Sequence, residues 1–221
     1  MERLSVLLAD DHRLFAEACM KMLEPECEVV GIVRDGRALL QTAPALRPDV
    51  IVLDIAMPLL NGLDAARQLR KIMPSVKLVF MTMHQDSDLL DAALSIGALG
   101  YILKTSASCE LVEAIRAAAQ GKTFIAAQIR SQMDRSFVQH GRGKKHRTLT
   151  HRQREVLQLL AEGYSMKEAG EIAHVAPRTI AFHKYRIMEQ FNIGNNAELF
   201  QFAIREGIIV DERKEPNFPA A

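Results

Sequence analysis

The sequence predicts an α/β domain followed by a smaller all-helical domain. In the first half of the chain, short apolar runs alternate five times with helical patterns, which indicates a parallel sheet with helices on both faces. Residues able to carry chemistry directly follow several of these runs, as they do at the carboxyl ends of strands in open α/β sheets. From residue 148 onward only short helical patterns separated by turn signals remain, so the second domain is expected to contain helices alone.

Length and composition fit a globular protein of two ordinary domains. The chain has 221 residues, of which 48% are hydrophobic and 25% charged. It contains no apolar run of membrane-spanning length and no leader pattern, so we expect a soluble cytoplasmic protein with no membrane partner. Three scattered cysteines without a CxxC motif argue against a zinc site or a disulfide framework. Residues 1–125 contain 13 Lys and Arg against 16 Asp and Glu, whereas residues 126–221 contain 15 against 11, so only the second half is expected to meet nucleic acid.

Each strand of the first domain is predicted from a short apolar run. The clearest is Val-Ile-Val-Leu-Asp at residues 50–54, which is apolar throughout its length, as expected for a strand buried on both faces of a parallel sheet. The predicted strands are residues 4–9, 28–33, 50–54, 77–82 and 100–103. A helix follows every strand, including residues 37–43 after the second, and the last helix, residues 109–120, is closed by Gly121. The expected fold is a doubly wound, five-stranded, flavodoxin-like sheet with strand order 2-1-3-4-5.

Polar residues at the predicted strand ends form the candidate site. Asp10 and Asp11 follow the first strand, Asp54 ends the third, Thr82 the fourth and Lys104 the fifth, so all five converge at one edge of the sheet. Carboxylates this close raise each other's pKa unless a cation lies among them, and an all-oxygen ligand set suits Mg²⁺. An aspartate beside Mg²⁺ and a lysine can attack a phosphoryl group and hold it as an acyl phosphate. Taken singly, Asp54 could equally be a helix N-cap residue, and Thr82 could be an ordinary strand-end hydroxyl. The prediction of a functional site therefore depends on the combination of these residues.

Residues 1–121 resemble the receiver domain of bacterial two-component response regulators. The resemblance is carried by Asp10-Asp11, Asp54 with Met57-Pro58 and Gly62, Thr82, Gly97-Ala98, Gly100-Tyr101 and Lys104. It implies phosphorylation of Asp54 by a sensor histidine kinase. It also implies a Mg²⁺ site, with Asp11, Asp54 and the backbone carbonyl of Ala56 as direct ligands and Asp10 nearby through water. It further implies that Thr82 and Tyr101 form the switch pair. A receiver that acts without phosphorylation is the alternative.

Residues 123–147 are predicted to connect the two domains, which would then span residues 1–122 and 148–210. The first part of this connector, residues 126–138, has the pattern of a short amphipathic helix. Residues 139–147 are polar, basic and glycine-containing, which indicates a flexible linker whose main role is that of a solvated tether, with added phosphate contacts as the alternative. Residues 211–221 are charged and contain proline, so we expect a disordered tail.

Four short helices are predicted in the second domain from their capping residues. Thr150 with Gln153 forms a capping box at the start of the first helix, and Ser165 caps the second, residues 166–174. Pro177 lies in the first turn of a helix that runs to residue 191, and the last helix covers residues 197–205. Short helices joined by tight turns in this order are typical of a helix-turn-helix.

The helix at residues 177–191 has two distinct apolar sides. Ile180 and Ile187 lie on a side that fits a core, whereas Phe182 and Tyr185 lie on another side together with Arg178. Exposed aromatic residues beside arginine are unusual on a solvated helix, and contact with a nucleic-acid groove or with a protein would explain them.

Residues 148–207 resemble the four-helix output domain of the nitrate-regulator and quorum-regulator type. The matching motifs are Thr150-x-Arg152-x-Arg154-Glu155-Val156-Leu157, Ala161-Glu162-Gly163, Ser165-x-Lys167-Glu168, Thr179-Ile180-x-x-His183, Ile187-Met188 and Ala197-Glu198-Leu199. The resemblance implies a transcriptional regulator that dimerises on double-stranded promoter DNA through its last helix. It places base contacts at Ala181, Phe182 and Tyr185, with Thr179, His183, Lys184 and Arg178 as further DNA contacts. A protein-interaction switch and an RNA-binding output domain are the alternatives.

The second domain also departs from this family's pattern. Gly170, Ala173 and Ala176 stand where relatives usually have larger or better-capping residues. Glycine inside a helix costs about 1 kcal/mol, and trimmed core positions cost more unless neighbours fill the space. We therefore expect a helix-turn-helix scaffold of reduced stability.

Overall fold

A computed structural model of the chain describes residues 3–83, 87–130 and 149–209. These residues belong to two compact units, with the division at residues 146 and 147, and each unit is described by itself. The greater part of the helix predicted at residues 126–138, the basic linker at 139–147 and the tail at 211–221 lie outside the described residues. Within the described ranges, no helix is long and apolar enough to cross a membrane.

The first unit is a parallel sheet with helices between its strands. The strand order is β2-β1-β3-β4-β5-β6. The strands are β1 (Leu4–Ala9), β2 (Cys27–Val33), β3 (Val50–Asp54), β4 (Lys77–Thr82), β5 (Gly100–Leu103) and β6 (Phe124–Ile125). The helices are α1 (Arg13–Leu23), α2 (Gly36–Leu46), α3 (Gly62–Ile72), α4 (Ser87–Ser95) and α5 (Ala107–Ala119), with a 3₁₀ turn at Lys104–Ser106 before α5. The predicted α/β class and the order of the first five strands are confirmed.

The prediction of five strands is wrong by one. β6 pairs in parallel with β5, where the Phe124 amide donates to the Leu99 carbonyl at 2.8 Å and the Ala126 amide donates to the Tyr101 carbonyl at 3.0 Å. A two-residue strand is too short to show periodicity, which is why the sequence pattern placed it in the connector. Ala126 and Ile129 are buried in the core of the same unit, so the sheet domain extends past residue 122.

Helix α2 also extends beyond its predicted end at residue 43. It runs to Leu46 and includes Pro44, and Arg47 then adopts a left-handed conformation with its amide bonded to the Ala43 carbonyl. A proline in the last turn removes only one intrahelical hydrogen bond. The helix therefore tolerates Pro44 where a proline in its middle would break it.

The loop after β3 is held against the strand by a close backbone approach at Gly62. All five residues of β3 are buried, and Asp54 is the last of them. The Gly62 amide donates to the Ile55 carbonyl at 2.9 Å, and a Cβ at Gly62 would lie 2.0 Å from the Asp54 carbonyl oxygen. Asn61 caps α3 by accepting a hydrogen bond from the Asp64 amide at 2.8 Å. The close approach of Gly62 to Asp54 and Ile55 therefore fixes the backbone that carries Asp54.

Within residues 149–209 the second unit contains four helices, as predicted. They are α6 (His151–Ala161), α7 (Met166–Ile172), α8 (Pro177–Phe191) and α9 (Asn196–Arg205). The capping box of Thr150 and Gln153 is present, and Ser165 forms a second one with Glu168. The buried cluster that joins α6, α8 and α9 consists of Leu157, Ile187, Leu199, Phe202, Ala203 and Ile208.

Gly170 in α7 meets the turn that follows the helix. A Cβ at Gly170 would stand 2.8 Å from the carbonyl oxygen of Val175 and 3.3 Å from the nitrogen of Pro177. Arg152 of α6 further secures this region by donating to the Ala173 carbonyl at 2.9 Å. The residue that departs from the family pattern therefore has a structural reason, because the turn between α7 and α8 passes too close for a side chain.

Candidate functional site

The predicted strand-end residues meet around a buried lysine at the carboxyl edge of the sheet. The Lys104 ammonium Nζ lies 2.7 Å from Oδ2 of Asp54 and 2.8 Å from Oδ2 of Asp10. The Lys104 side chain is only 4% exposed, and both aspartates are buried. Lys104 follows β5 directly, Asp54 ends β3 and Asp10 follows β1, so the parallel register of the neighbouring strands β1, β3, β4 and β5 brings the three charges together.

Burial and charge act in opposite directions on these groups. Burial raises the pKa of Asp54, and the nearby Asp10 adds to this, while the ammonium of Lys104 lowers it without cancelling the effect. Burial alone would lower the pKa of Lys104, but the two carboxylates prevail and raise it. The pocket therefore stabilises a charged lysine between two carboxyl groups, one of which is a poorly hydrated base.

Four side chains around the pocket present a possible cation site. Ligand atoms of Asp10, Asp11, His12 and Asp54 all lie within 4.8 Å of one another. Asp10 Oδ1 accepts the His12 amide at 2.9 Å, and Asp54 Oδ1 accepts the Ala56 amide at 3.2 Å. The carboxylates of buried Asp10 and Asp54, with that of the partly exposed Asp11, fit a hard divalent cation such as Mg²⁺, which prefers oxygen ligands.

The predicted switch residues are buried on neighbouring strands. Thr82 is the last residue of β4 and lies opposite Leu103 of β5, next to the pocket. Tyr101 is fully buried two residues earlier on β5 and lies opposite Phe80. The strand register thus places Thr82 at the same edge as Asp54, and Tyr101 lies two residues farther from that edge, inside the sheet.

Sequence reasoning did not include His12 in this site. Its Nδ1 atom lies 2.8 Å from Oδ1 of Asp11 and 3.4 Å from Oδ1 of Asp10. The signal was available in the sequence as Asp-Asp-His, in which the histidine directly follows the acidic pair.

Helix α8 presents its aromatic side to solvent, as the spacing predicts. Phe182 is 58% exposed and Tyr185 is 60% exposed, whereas Ile180 and Ile187 are buried. Arg186 lies over the Phe182 ring at 5.9 Å from its centroid, and Lys184 lies over the Tyr185 ring at 5.7 Å. The exposed aromatic rings are therefore covered in part by cationic groups, which gives this side of the helix a basic character.

The other predicted DNA contacts lie on the same helix with different exposure. Arg178 is exposed, whereas Thr179, Ala181, His183 and Lys184 are half-buried. Burial, and then the charge of Arg152, lower the pKa of His183. His183 therefore favours its neutral form and supplies a hydrogen-bonding group rather than a cation at neutral pH.

Comparison with known proteins identifies the class of both units. Residues 6–116 match the response regulator receiver domain family, and residues 147–203 match the bacterial regulatory proteins of the luxR family. The chain belongs to the LuxR-type response regulators. The two resemblances drawn from the sequence are therefore confirmed.

Several relatives are similar along nearly their whole length. The transcriptional regulatory protein DegU of Brevibacillus brevis is 30% identical over 223 residues, which cover 93% of this chain and 94% of DegU. LiaR, a transcriptional regulatory protein of Bacillus subtilis, is 31% identical over 207 residues, which cover 92% of this chain and 98% of LiaR. The order of the two domains in this response regulator is thus that of known transcriptional regulators.

Solved structures agree with this assignment. The RcsB response regulator of Salmonella typhimurium is 25% identical and has a TM-score of 0.63, with 91% of this chain and 97% of RcsB covered. RcsB in a complex with DNA is 26% identical to this chain and has a TM-score of 0.58, with 91% of this chain and 98% of RcsB covered.

Proposed function

We propose that this response regulator accepts a phosphoryl group on Asp54 from a sensor histidine kinase and then binds promoter DNA through α8 to regulate transcription. The observation that carries this proposal is the bridge of Lys104 between Asp54 and Asp10. A buried aspartate beside a buried ammonium, with a second buried aspartate next to it and the partly exposed Asp11 at the mouth of the pocket, suits a nucleophile for phosphoryl transfer.

The chemistry follows from the groups around Asp54. A carboxylate oxygen of Asp54 attacks phosphorus, the new O–P bond replaces the bond from phosphorus to the donor, and the donor leaves with that electron pair. Burial leaves the Asp54 oxygens with little hydration to lose, and Lys104 offsets negative charge as the phosphoryl group arrives. Asp10, Asp11, Asp54 and the Ala56 carbonyl would hold Mg²⁺, which supplies positive charge to the transferring oxygens when it is bound.

Transfer to Asp54 is tested by reaction of the full chain with a small phosphodonor in Mg²⁺. Intact mass should increase by one phosphoryl group, and Asp54→Asn should abolish the increase, because the amide is a poor nucleophile. Asp91→Asn provides the matched control, since Asp91 is exposed on α4. Equal labelling of Asp54→Asn and the unaltered chain would refute the assignment of Asp54.

Phosphorylation is proposed to act through Thr82 and Tyr101. A new dianion on Asp54 gives the Thr82 hydroxyl at the same sheet edge a strong acceptor, and movement of Thr82 changes the space available to the Tyr101 ring. The surface around β4, β5 and the helices that follow them should then change and favour a homodimer. Light scattering with and without a phosphoryl mimic measures this, and an unchanged mass together with unchanged hydrogen exchange near Tyr101 would count against the switch.

DNA binding by α8 is supported by the complex of RcsB with DNA and by the exposed side of the helix. Methyl and ring groups at Ala181, Phe182 and Tyr185 suit thymine methyl groups more than guanine edges. Arg178, Thr179, His183 and Lys184 are the candidates for phosphate contacts, with Arg178 also within reach of a base. We therefore expect preference for thymine-bearing steps.

Gel shifts with DNA fragments in rising salt test this assignment. Phe182→Ala or Tyr185→Ala should flatten the preference among sites by about 1–3 kcal/mol for each lost base contact, whereas Lys184→Ala should weaken all sites alike and reduce the salt slope. If Phe182→Ala and Tyr185→Ala leave both affinity and preference unchanged, α8 does not contact bases. The exposed aromatic rings would then favour a protein partner, and preferential binding of RNA would favour the RNA-binding alternative.

A further inference from the structure

We propose that His12 supplies a nitrogen ligand to the acidic pocket and so sets how strongly the pocket favours Zn²⁺ and similar transition ions over Mg²⁺. The proposal rests on the cation site proposed above and assigns a ligand beyond the carboxylates and the Ala56 carbonyl. His12 is the histidine among the four side chains whose ligand atoms cluster in the part of the chain that the structure describes.

The positions of the ligand atoms fit coordination by His12. Nitrogen and oxygen ligands about 2.0–2.1 Å from a tetrahedral zinc ion lie about 3.4 Å from one another. The His12 Nδ1 atom is 3.4 Å from Oδ1 of Asp10 and 2.8 Å from Oδ1 of Asp11. Small side-chain rotations of His12 and Asp11 therefore suffice to place one ion between these atoms.

Both residues at the mouth of the pocket have room for such a rotation. The His12 side chain is 62% exposed and the Asp11 side chain is 33% exposed. His12 occupies the N-cap position of α1 without making a side-chain capping bond, so turning the imidazole breaks no helix contact. The His12 amide donates to Asp10 Oδ1 at 2.9 Å, which keeps the backbone next to the pocket while the ring moves.

The chemistry of the pocket makes His12 the residue that separates one ion from another. Lys104 contacts Oδ2 of both Asp10 and Asp54, and Oδ1 of each accepts one backbone amide and keeps a lone pair for an entering cation. Carboxylates and carbonyls suit Mg²⁺, which retains several water molecules, whereas imidazole suits zinc, copper and nickel. An added imidazole nitrogen therefore strengthens binding of Zn²⁺ and leaves binding of Mg²⁺ to the oxygens.

The proposal is tested by calorimetric titration of the full chain with Zn²⁺ and with Mg²⁺ separately at neutral pH. His12→Ala should weaken Zn²⁺ binding at the pocket by at least about tenfold, since losing a ligand costs no less than losing a residue that only orients one. Mg²⁺ affinity should stay unchanged. His151→Ala is the matched control, because His151 is an exposed histidine of the other unit and its loss should not affect the Mg²⁺-competitive Zn²⁺ site.

A second variant separates ligation from simple orientation of Asp11. In His12→Asn the side-chain amide can still donate a hydrogen bond to Asp11 but offers no imidazole nitrogen, so the proposal requires the same loss of Zn²⁺ affinity as in His12→Ala. Full Zn²⁺ affinity in His12→Asn, or a parallel loss of Mg²⁺ and Zn²⁺ affinity in His12→Ala, would overturn the proposal. Electron paramagnetic resonance of Cu²⁺ bound at the site supplies a direct reading, since nitrogen splitting should be present in the unaltered chain and in His151→Ala and absent in both His12 variants.

These outcomes are independent of the phosphoryl transfer itself. Labelling of Asp54 in Mg²⁺ should be retained in the His12 variants, because the oxygen ligands remain. If the unaltered chain is labelled but His12 does not affect Zn²⁺, only the role of His12 is refuted. If Asp54 is never labelled, the phosphoryl-transfer proposal is refuted while the titrations still decide the role of His12.

Discussion

Replacement of Lys104 by methionine should destabilise the sheet domain by an amount that depends on pH. Methionine has a similar volume but no charge, so the variant leaves Asp10 and Asp54 buried without their common cation. Removing one partner of a buried ion pair costs about 3–5 kcal/mol. The two carboxylates would then share a buried site in which both can no longer remain ionised at low cost.

Protonation limits this cost and gives it a definite sign. Neutralising one carboxyl group at about pH 7 costs about 4 kcal/mol, because its ordinary pKa of about 3.9 lies roughly three units lower and each unit corresponds to about 1.4 kcal/mol. In the variant the pKa in the folded state is raised above that of the unfolded chain. The penalty is therefore largest at neutral pH and falls by about 1.4 kcal/mol for each unit of acidification, to about 1.5 kcal/mol near pH 5.

Hydrogen exchange of the β3 amides in EDTA measures this free energy for the sheet domain within the full chain. Lys122→Met is the matched control, since Lys122 is exposed on the same unit and its replacement should have little effect at any pH. A penalty for Lys104→Met that does not change between pH 5 and pH 7 would refute the electrostatic reasoning. The side chain of Lys104 would then matter for its packing rather than for its charge.

Other perturbations test the backbone contacts, the thiols and the output domain. Gly62→Ala should destabilise the sheet domain by about 2–3 kcal/mol in urea unfolding, because its Cβ would lie 2.0 Å from the Asp54 carbonyl oxygen, whereas Gly194→Ala, whose nearest contact is 3.5 Å, should change stability by less than about 0.5 kcal/mol. Iodoacetamide should modify exposed Cys109 in the native chain and spare Cys19, whose pKa burial raises to about 12, and rapid labelling of Cys19 would contradict its burial. Because burial lowers the pKa of His183, the helical domain should lose stability as pH falls below about 6.5, and His183→Gln should reduce that loss in thermal scans at successive pH values.

The main features of the sheet could be predicted because its signals are local and strong. The apolar run that ends in Asp54 is buried throughout, and the parallel register then places Asp10 and Lys104 beside it. β6 could not be predicted, since Phe124 and Ile125 become a strand only through hydrogen bonds to β5, which lies more than twenty residues earlier in the chain.

Some residues of the candidate sites could be predicted from local spacing, whereas others depend on the path of the chain. Phe182 and Tyr185 were separable from the core of α8 by helical spacing alone, because Ile180 and Ile187 occupy the opposite positions. The Asp-Asp-His run places His12 next to the acidic pair, but only the turn between β1 and α1 brings its Nδ1 atom within 2.8 Å of Oδ1 of Asp11. Helix propensity alone predicts that Gly170 lowers the stability of α7. The path of the following turn shows why a side chain is excluded at this position.

The close approach at Gly170 has a consequence for how the target sequence of such a protein can diverge. The turn before α8 is held by a backbone contact, and the helix is seated by Ile180 and Ile187, so none of these features involves Phe182 or Tyr185. Substitutions at the exposed positions therefore leave the support of the helix untouched. If α8 contacts bases as proposed, the helical domain can acquire a new operator by exchange of a few surface side chains, in nature or by engineering, without a change in the residues that hold the helix.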